Sequence, residues 1–202
     1  MKFYCVRHGQ TIFNVKGMIQ GWCDSPLTEK GISDAQAVGK GLSNIPFVHA
    51  YSSTSERAID TLNYILEDRN INKSYLKGLK ETNFGMLEGE HVEKAKDWQK
   101  LKDEDYQKVG GEKLEESALR FLKTLEDIAG KNEEGNILIV SHGTVLTYAS
   151  KIVDFKKTAS ILQSGSIMDN CYLMILEYSN NEFQLLEFAD GTYLEKGREI
   201  LK

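Results

Sequence analysis

Two histidines, each followed by glycine, stand at the ends of apolar runs: His8 in Arg7-His8-Gly9 and His142 in Ser141-His142-Gly143. A neutral imidazole is a competent nucleophile near neutral pH, and a flanking cation such as Arg7 favours the neutral form. A strand-end histidine can also do no more than satisfy a local hydrogen bond. Two matched pairs, one of them beside an arginine, weigh toward chemistry. Arg57 supplies a second cation. A transferring phosphoryl group spreads its charge over equatorial oxygens, which planar guanidinium groups grip with paired hydrogen bonds, so Arg7 and Arg57 could offset most of a phosphate dianion's charge. Arg57 falls near the start of a helical pattern, where backbone amides and the helix dipole favour an anion. Spacing alone equally allows it to be a solvated helix residue.

The elements that would carry these groups can be read from periodicity. Residues 2 to 7 form a short apolar run that predicts a buried strand ending at Arg7-His8-Gly9, and Ile137-Leu138-Ile139-Val140 predicts another ending at Ser141-His142-Gly143. Ligands of open α/β sheets gather at the carboxyl ends of strands, so the two histidines could converge there. Apolar spacings of three and four predict helices from Thr28 to about Leu42, from Thr54 to Asp68 with Thr54 or Ser55 as N-cap, and from about Lys113 to Ala129. Residues 47 to 52 read as a strand. Cys171 to Glu177 and Phe183 to Phe188 flank Asn180-Asn181, which predicts an antiparallel hairpin. Strands alternating with helices make an α/β three-layer sandwich, with a mostly parallel central sheet, helices on both faces and the hairpin at one edge.

Bulk properties narrow the field. The 202 residues suit one domain over positions 1–202, with a lid-like excursion at about 84–112 that is richly charged and poorly patterned apart from Val92, Ala95 and Trp98. Hydrophobic content of 41% and charged content of 27% are ordinary for soluble proteins, and no apolar run nears the roughly 20 residues of a membrane span. The start of the chain lacks the pattern of a secretory signal, so a cytoplasmic location is expected. A net charge of −5, with no free-standing basic block, argues against nucleic-acid or membrane partners. Cys5, Cys23 and Cys171 are odd in number and widely spaced, which points to reduced thiols rather than a disulfide framework or zinc site. His49, His91, Trp22 and the lysines at 94, 96, 100, 102 and 108 read as packing or solvated surface.

The ordered motifs carry a resemblance. Arg7-His8-Gly9-Gln10-Thr11, Asn14, Gln20-Gly21-Trp22 and Leu27-Thr28-Glu29-Lys30-Gly31 are followed by Ser52-Ser53, Arg57-Ala58 and Thr61. Glu81, Phe84-Gly85, Glu88-Gly89 and Ser141-His142-Gly143 complete the series. Over nearly the whole chain this resembles the histidine phosphatase superfamily, the phosphoglycerate mutase-like group. One Arg-His-Gly is a weak signal, whereas ordered motifs at these separations are a strong one. The resemblance implies that His8 becomes phosphohistidine. Arg7, Arg57 and His142 would surround the phosphoryl oxygens, assisted by Asn14, with Gln20, Gly21 and Gly143 also at the phosphate site. It further implies that Glu81, which spacing does not single out, gives a proton to the leaving oxygen and later acts as base. No metal or cofactor is implied.

The same apparatus serves hydrolysis and mutase chemistry. Glycolytic mutases of this group usually carry an adjacent arginine pair in a longer insertion and asparagine after the second His-Gly; here residues 82 to 119 contain no arginine and Thr144 takes that place. Both departures favour a phosphatase acting on a small phosphate monoester. The alternatives are a mutase, which would use bisphosphoglycerate, and a phosphate-binding protein without catalysis. The latter sits poorly with the presence of both His8 and Glu81. The sequence carries no sign of oligomeric state.

Overall fold

The structure, a computed structural model, describes residues 1–67, 69–93, 103–132 and 134–202. Strand β1 (Lys2–Arg7) lies in the middle of a six-stranded sheet. It pairs in parallel with β4 (Asn136–Ser141), which pairs in parallel with β2 (Phe47–Ser52), which in turn pairs with the short β3 (Lys73–Tyr75). On the other side β1 meets β5 (Leu173–Ser179) antiparallel, and β6 (Glu182–Asp190) closes that edge. The hairpin turns on Asn180 and Asn181 alone, both at positive φ (52° and 62°), the backbone that a two-residue turn matched to strand twist requires.

The unbroken apolar runs of β1 and β4 follow from burial on both faces. Phe3, Cys5, Ile137 and Ile139 join one core, packed under α5 (Leu114–Ala129) and α6 (Gly143–Val153). Tyr4, Val6, Leu138 and Val140 join the opposite core, under α2 (Glu29–Gly41), α3 (Glu56–Leu66) and α8 (Thr192–Ile200). The expected sandwich is therefore what the chain forms. The smaller helices are α1 (Ile12–Lys16), α4 (Asp103–Lys108) and α7 (Phe155–Gln163). The short helix expected around Val92, Ala95 and Trp98 lies largely outside the described residues, as do Lys94, Lys96, Lys100, Lys102 and Asp68. Among the described residues no helix is long and apolar enough to cross a membrane.

Register fixes the geometry that matters. Arg7 is paired with Ser141, and His8 N–H donates to the Ser141 carbonyl at 3.0 Å, so the two His-Gly strand ends lie side by side. The loop leaving His8 is pressed against the start of α2. A Cβ on Gly9 would lie 2.6 Å from the Gly31 carbonyl oxygen, and one on Gly31 would lie 2.2 Å from that of Gln10. Only two glycines permit that approach.

Candidate active site

His8 is 3% exposed, and its Nδ1 lies 2.8 Å from the Gly9 carbonyl oxygen. A carbonyl can only accept, so Nδ1 carries the proton and Nε2 keeps its lone pair. Burial, then the Arg57 and Arg7 charges, hold the His8 pKa well below its ordinary value against the opposing pull of the Gly9 hydrogen bond. The ring lines a cavity of about 370 Å³ together with Arg7, Asn14, Gln20, Glu81 and Gly143.

Each of these neighbours is held from behind. Arg7 donates through Nη1 to the Met168 carbonyl at 2.7 Å, and its buried Nε has no acceptor. A Cβ on Gly143 would come within 3.1 Å of that Nε, so glycine keeps the guanidinium approachable. Asn14 accepts through Oδ1 from Thr11 N–H at 3.1 Å and from Asn170 Nδ2 at 3.2 Å, which assigns its Nδ2 as the group left to donate. Asn170 Nδ2 also reaches the His8 carbonyl at 2.9 Å. Glu81 is 4% exposed. Its Oε1 accepts from Thr82 and Val145 N–H at 2.8 Å each, and its Oε2 accepts from Thr144 N–H at 2.9 Å. The carboxylate thus caps the N-terminus of α6, satisfying two of its backbone N–H groups. Oε2, with one donor, has the lone pair to spare.

Arg57 and His142 are placed differently. Arg57 is fully buried and does not line the cavity. It donates to the Gly21 and Cys23 carbonyls, to Asp24 Oδ1 at 2.9 Å and to His142 Nδ1 at 2.9 Å, leaving only Nε without a partner. Because the guanidinium must donate, His142 Nδ1 accepts, and Nε2–H donates to Ser53 Oγ at 2.7 Å. The His142 ring stands 5.2 Å from that of His8, and burial followed by the Arg57 charge keeps it neutral well below its ordinary pKa. The start of α3, which the sequence offered as an anion site, is filled by the chain itself. Asp24 Oδ2 accepts from Glu56 N–H at 2.6 Å while Oδ1 takes Arg57. Ser55 is the N-cap residue but makes no capping bond.

Gln20 reaches the cavity wall with its amide engaged: Oε1 accepts from Thr11 Oγ1 and Nε2 donates to Ser25 Oγ. Gly21 lies off the cavity and serves by close approach, since a Cβ would lie 2.4 Å from the Thr82 carbonyl oxygen. His49 stacks on Tyr51 and bonds Ser74 Oγ. Trp22 is more than packing, because its Nε1–H donates to the Glu81 carbonyl at 2.9 Å. Sequence reasoning missed Asn170 and Arg120, neither of which has a local signature. Arg120 donates to the carbonyls of Gly78, Lys80 and Glu81 while paired with Glu112, strapping the segment that carries Glu81 to α5. Among the described residues no group of three His, Cys, Asp or Glu side chains is placed to hold a metal.

The two depressed histidines predict a pH effect on stability. Below about pH 6.5 the unfolded chain binds protons at His8 and His142 that the folded chain refuses, so folding stability is lost as pH falls. The slope from these two groups approaches about 2.7 kcal/mol per pH unit while both stay neutral in the fold. Urea midpoints between pH 7.5 and 5.5 should fall accordingly, and His142→Asn should remove about half of that slope. A flat profile would show that these rings are not held neutral.

The architecture defines a phosphoglycerate mutase-like α/β sandwich. A phosphoglycerate mutase from Bacillus anthracis superposes with a TM-score of 0.86 at 30% identity, covering 98% of this chain and 96% of that one. The chain belongs to the histidine phosphatase superfamily (branch 1), whose family model matches residues 3–191. Relatives include 2,3-bisphosphoglycerate-dependent phosphoglycerate mutase 2 of Gloeobacter violaceus, 36% identical over 155 residues and covering 70% of each chain. Another is the adenosylcobalamin/alpha-ribazole phosphatase of Salmonella typhimurium, 33% identical over 159 residues, with 73% of this chain and 76% of that one covered. The chain is accordingly an enzyme of a superfamily whose members are phosphatases or mutases.

Proposed function

We propose that this enzyme hydrolyses a small phosphate monoester through a phosphohistidine on His8, without a metal. The observation that carries this reading is that His8, its Nδ1 engaged by the Gly9 carbonyl so that Nε2 keeps the lone pair, lines one cavity with Arg7 and Glu81. Nε2 attacks phosphorus, the ester P–O bond breaks in line, and Glu81 Oε2 gives its proton to the departing alkoxide. Water then attacks the phosphohistidine while Glu81 takes a proton from it, releasing phosphate and restoring His8. Arg7 Nε and Asn14 Nδ2 donate to the phosphoryl oxygens. Arg57 and His142, which do not line the cavity, act from behind, through charge and by bracing one another.

Hydrolysis is favoured over mutase chemistry by Thr144, where mutases of this group usually have asparagine, and by the lack of arginine through residues 82 to 119. The test is phosphate release from a panel of phosphorylated metabolites with chelator present. Conversion of 3-phosphoglycerate to 2-phosphoglycerate, dependent on bisphosphoglycerate and faster than phosphate release, would reverse the choice.

Arg120 is a positioning residue in this scheme. Arg120→Met should lower kcat by about tenfold to a hundredfold on an alkyl phosphate, whose poor leaving group needs the Glu81 proton, since displacement of a catalytic group by about 1 Å costs that much. On 2,4-dinitrophenyl phosphate, whose first displacement needs no proton, the loss in the rate of the initial dinitrophenolate burst should be several times smaller. Equal losses on both substrates would reduce Arg120 to a structural role.

A further inference from the structure

We infer that the alcohol part of the substrate is uncharged and largely apolar, an aryl or alkyl group rather than a hydroxy acid. This rests on reading the His8 cavity as the ester site. Arg7, His8, Asn14, Glu81 and Gly143 account for its phosphate end, and three further walls complete it.

The first wall joins residues 17–20 to 84–92. Ile19 N–H donates to the Glu90 carbonyl at 2.9 Å and Val92 N–H to that of Gly17 at 2.8 Å, which sets Met18, Ile19, Phe84 and Val92 along the cavity. Ile19 and Phe84 are each 3% exposed. With Tyr106 and Leu114 they form an apolar cluster separate from both sheet cores, with Val92 and Tyr148 packed on it. The second wall is one face of α6, where Thr144, Thr147 and Tyr148 recur at helical spacing; Ile167 and Met168 make the third.

Two of the polar side chains on these walls are already engaged within the protein. Thr147 donates its hydroxyl to the Gly143 carbonyl at 2.7 Å, and both ends of the Gln20 amide have partners within the protein. Arg7 is the only cation among the described residues lining the cavity, and it belongs to the phosphate end. Lys151 sits with Nζ 4.2 Å over the Tyr148 ring and is not part of the lining. A carboxylate against such walls would lose water and meet no cation beyond Arg7 among the described lining residues, whereas a ring or alkyl chain gains burial. The volume of about 370 Å³ is near the lower end for small-ligand sites, suited to a phosphoryl group with one ring or a short chain.

The experiment uses two non-hydrolysable ligands that differ at the far end, pentylphosphonate and 4-phosphonobutyrate, titrated calorimetrically into the full chain. Each buried methylene is worth roughly fourfold in affinity, so the alkyl ligand should bind at least about tenfold tighter. Val92→Arg, outside the phosphate end, should narrow or reverse the ratio by adding a cation to the wall. Equal affinities, tighter binding of the carboxylated ligand, or no binding of either at millimolar concentration would overturn the inference. Tighter alkyl binding in a protein that fails to hydrolyse benzyl phosphate would uphold the inference and refute the phosphatase reading instead.

Discussion

His8→Ala is expected to lower kcat/KM for every ester the enzyme accepts by about 10⁵-fold or more, the scale seen when a covalent nucleophile is removed. The loss should be this large because nothing nearby can replace it. The neighbouring ring, His142, has Nδ1 taken by Arg57 and Nε2–H directed at Ser53, so it presents no free lone pair to phosphorus. The wild-type nucleophile has further marks. Since burial and the two arginine charges keep His8 neutral below its ordinary range, chemistry on Nε2 should persist at mildly acidic pH rather than fall away near 6.5. Rapid quenching of wild type with labelled substrate should trap a phosphoenzyme that is stable to base and labile to acid, as a phosphoramidate is. Retention of more than about one hundredth of the activity in His8→Ala, far above the expected residue, would mean that another group or water attacks directly.

The parts of this picture that sequence discloses are those whose physics is local. Strands β1 and β4 show themselves because burial on both faces demands unbroken apolar runs, and α3 and α5 because one face must meet a core. Helix α8 escapes that logic. Its closest packing is through Gly197, where a Cβ would lie 1.7 Å from the Ala37 carbonyl oxygen, and glycine contributes nothing to an apolar stripe. Helix α7 is similarly faint, with Thr158 its only fully buried residue. In the site, Arg7, His8, Arg57 and His142 stand out by type and position. Their relative placement does not, because it depends on β1 lying next to β4 and on Asp24 reaching the start of α3 from a loop more than thirty residues earlier. Glu81 emerges only through family likeness, since two of the three amides that hold it belong to residues 144 and 145. Arg120 and Asn170 grip backbone carbonyls, and a carbonyl leaves no mark in a sequence.

Glu81 carries the other large expected effect. Glu81→Gln should reduce kcat on an alkyl phosphate by about 10² to 10⁴, the usual worth of a placed acid or base. The substitution also has a structural cost. One amide oxygen can still accept from Thr82 and Val145, but the new NH₂ then faces the Thr144 N–H, two donors with no acceptor between them. An unmet buried donor costs about 1 to 3 kcal/mol, so a fall in thermal midpoint is expected and does not by itself speak for catalysis. Leaving-group dependence separates the two effects. A distorted site slows every substrate alike, whereas a missing acid spares 2,4-dinitrophenyl phosphate, whose anion leaves unaided. With that substrate the first displacement should stay fast while the second, which needs Glu81 to take a proton from water, becomes slow. Glu81→Gln should then release about one equivalent of dinitrophenolate in a burst and accumulate phosphohistidine. A uniform loss across leaving groups with no burst would remove Glu81 from proton transfer and leave it as the cap of α6.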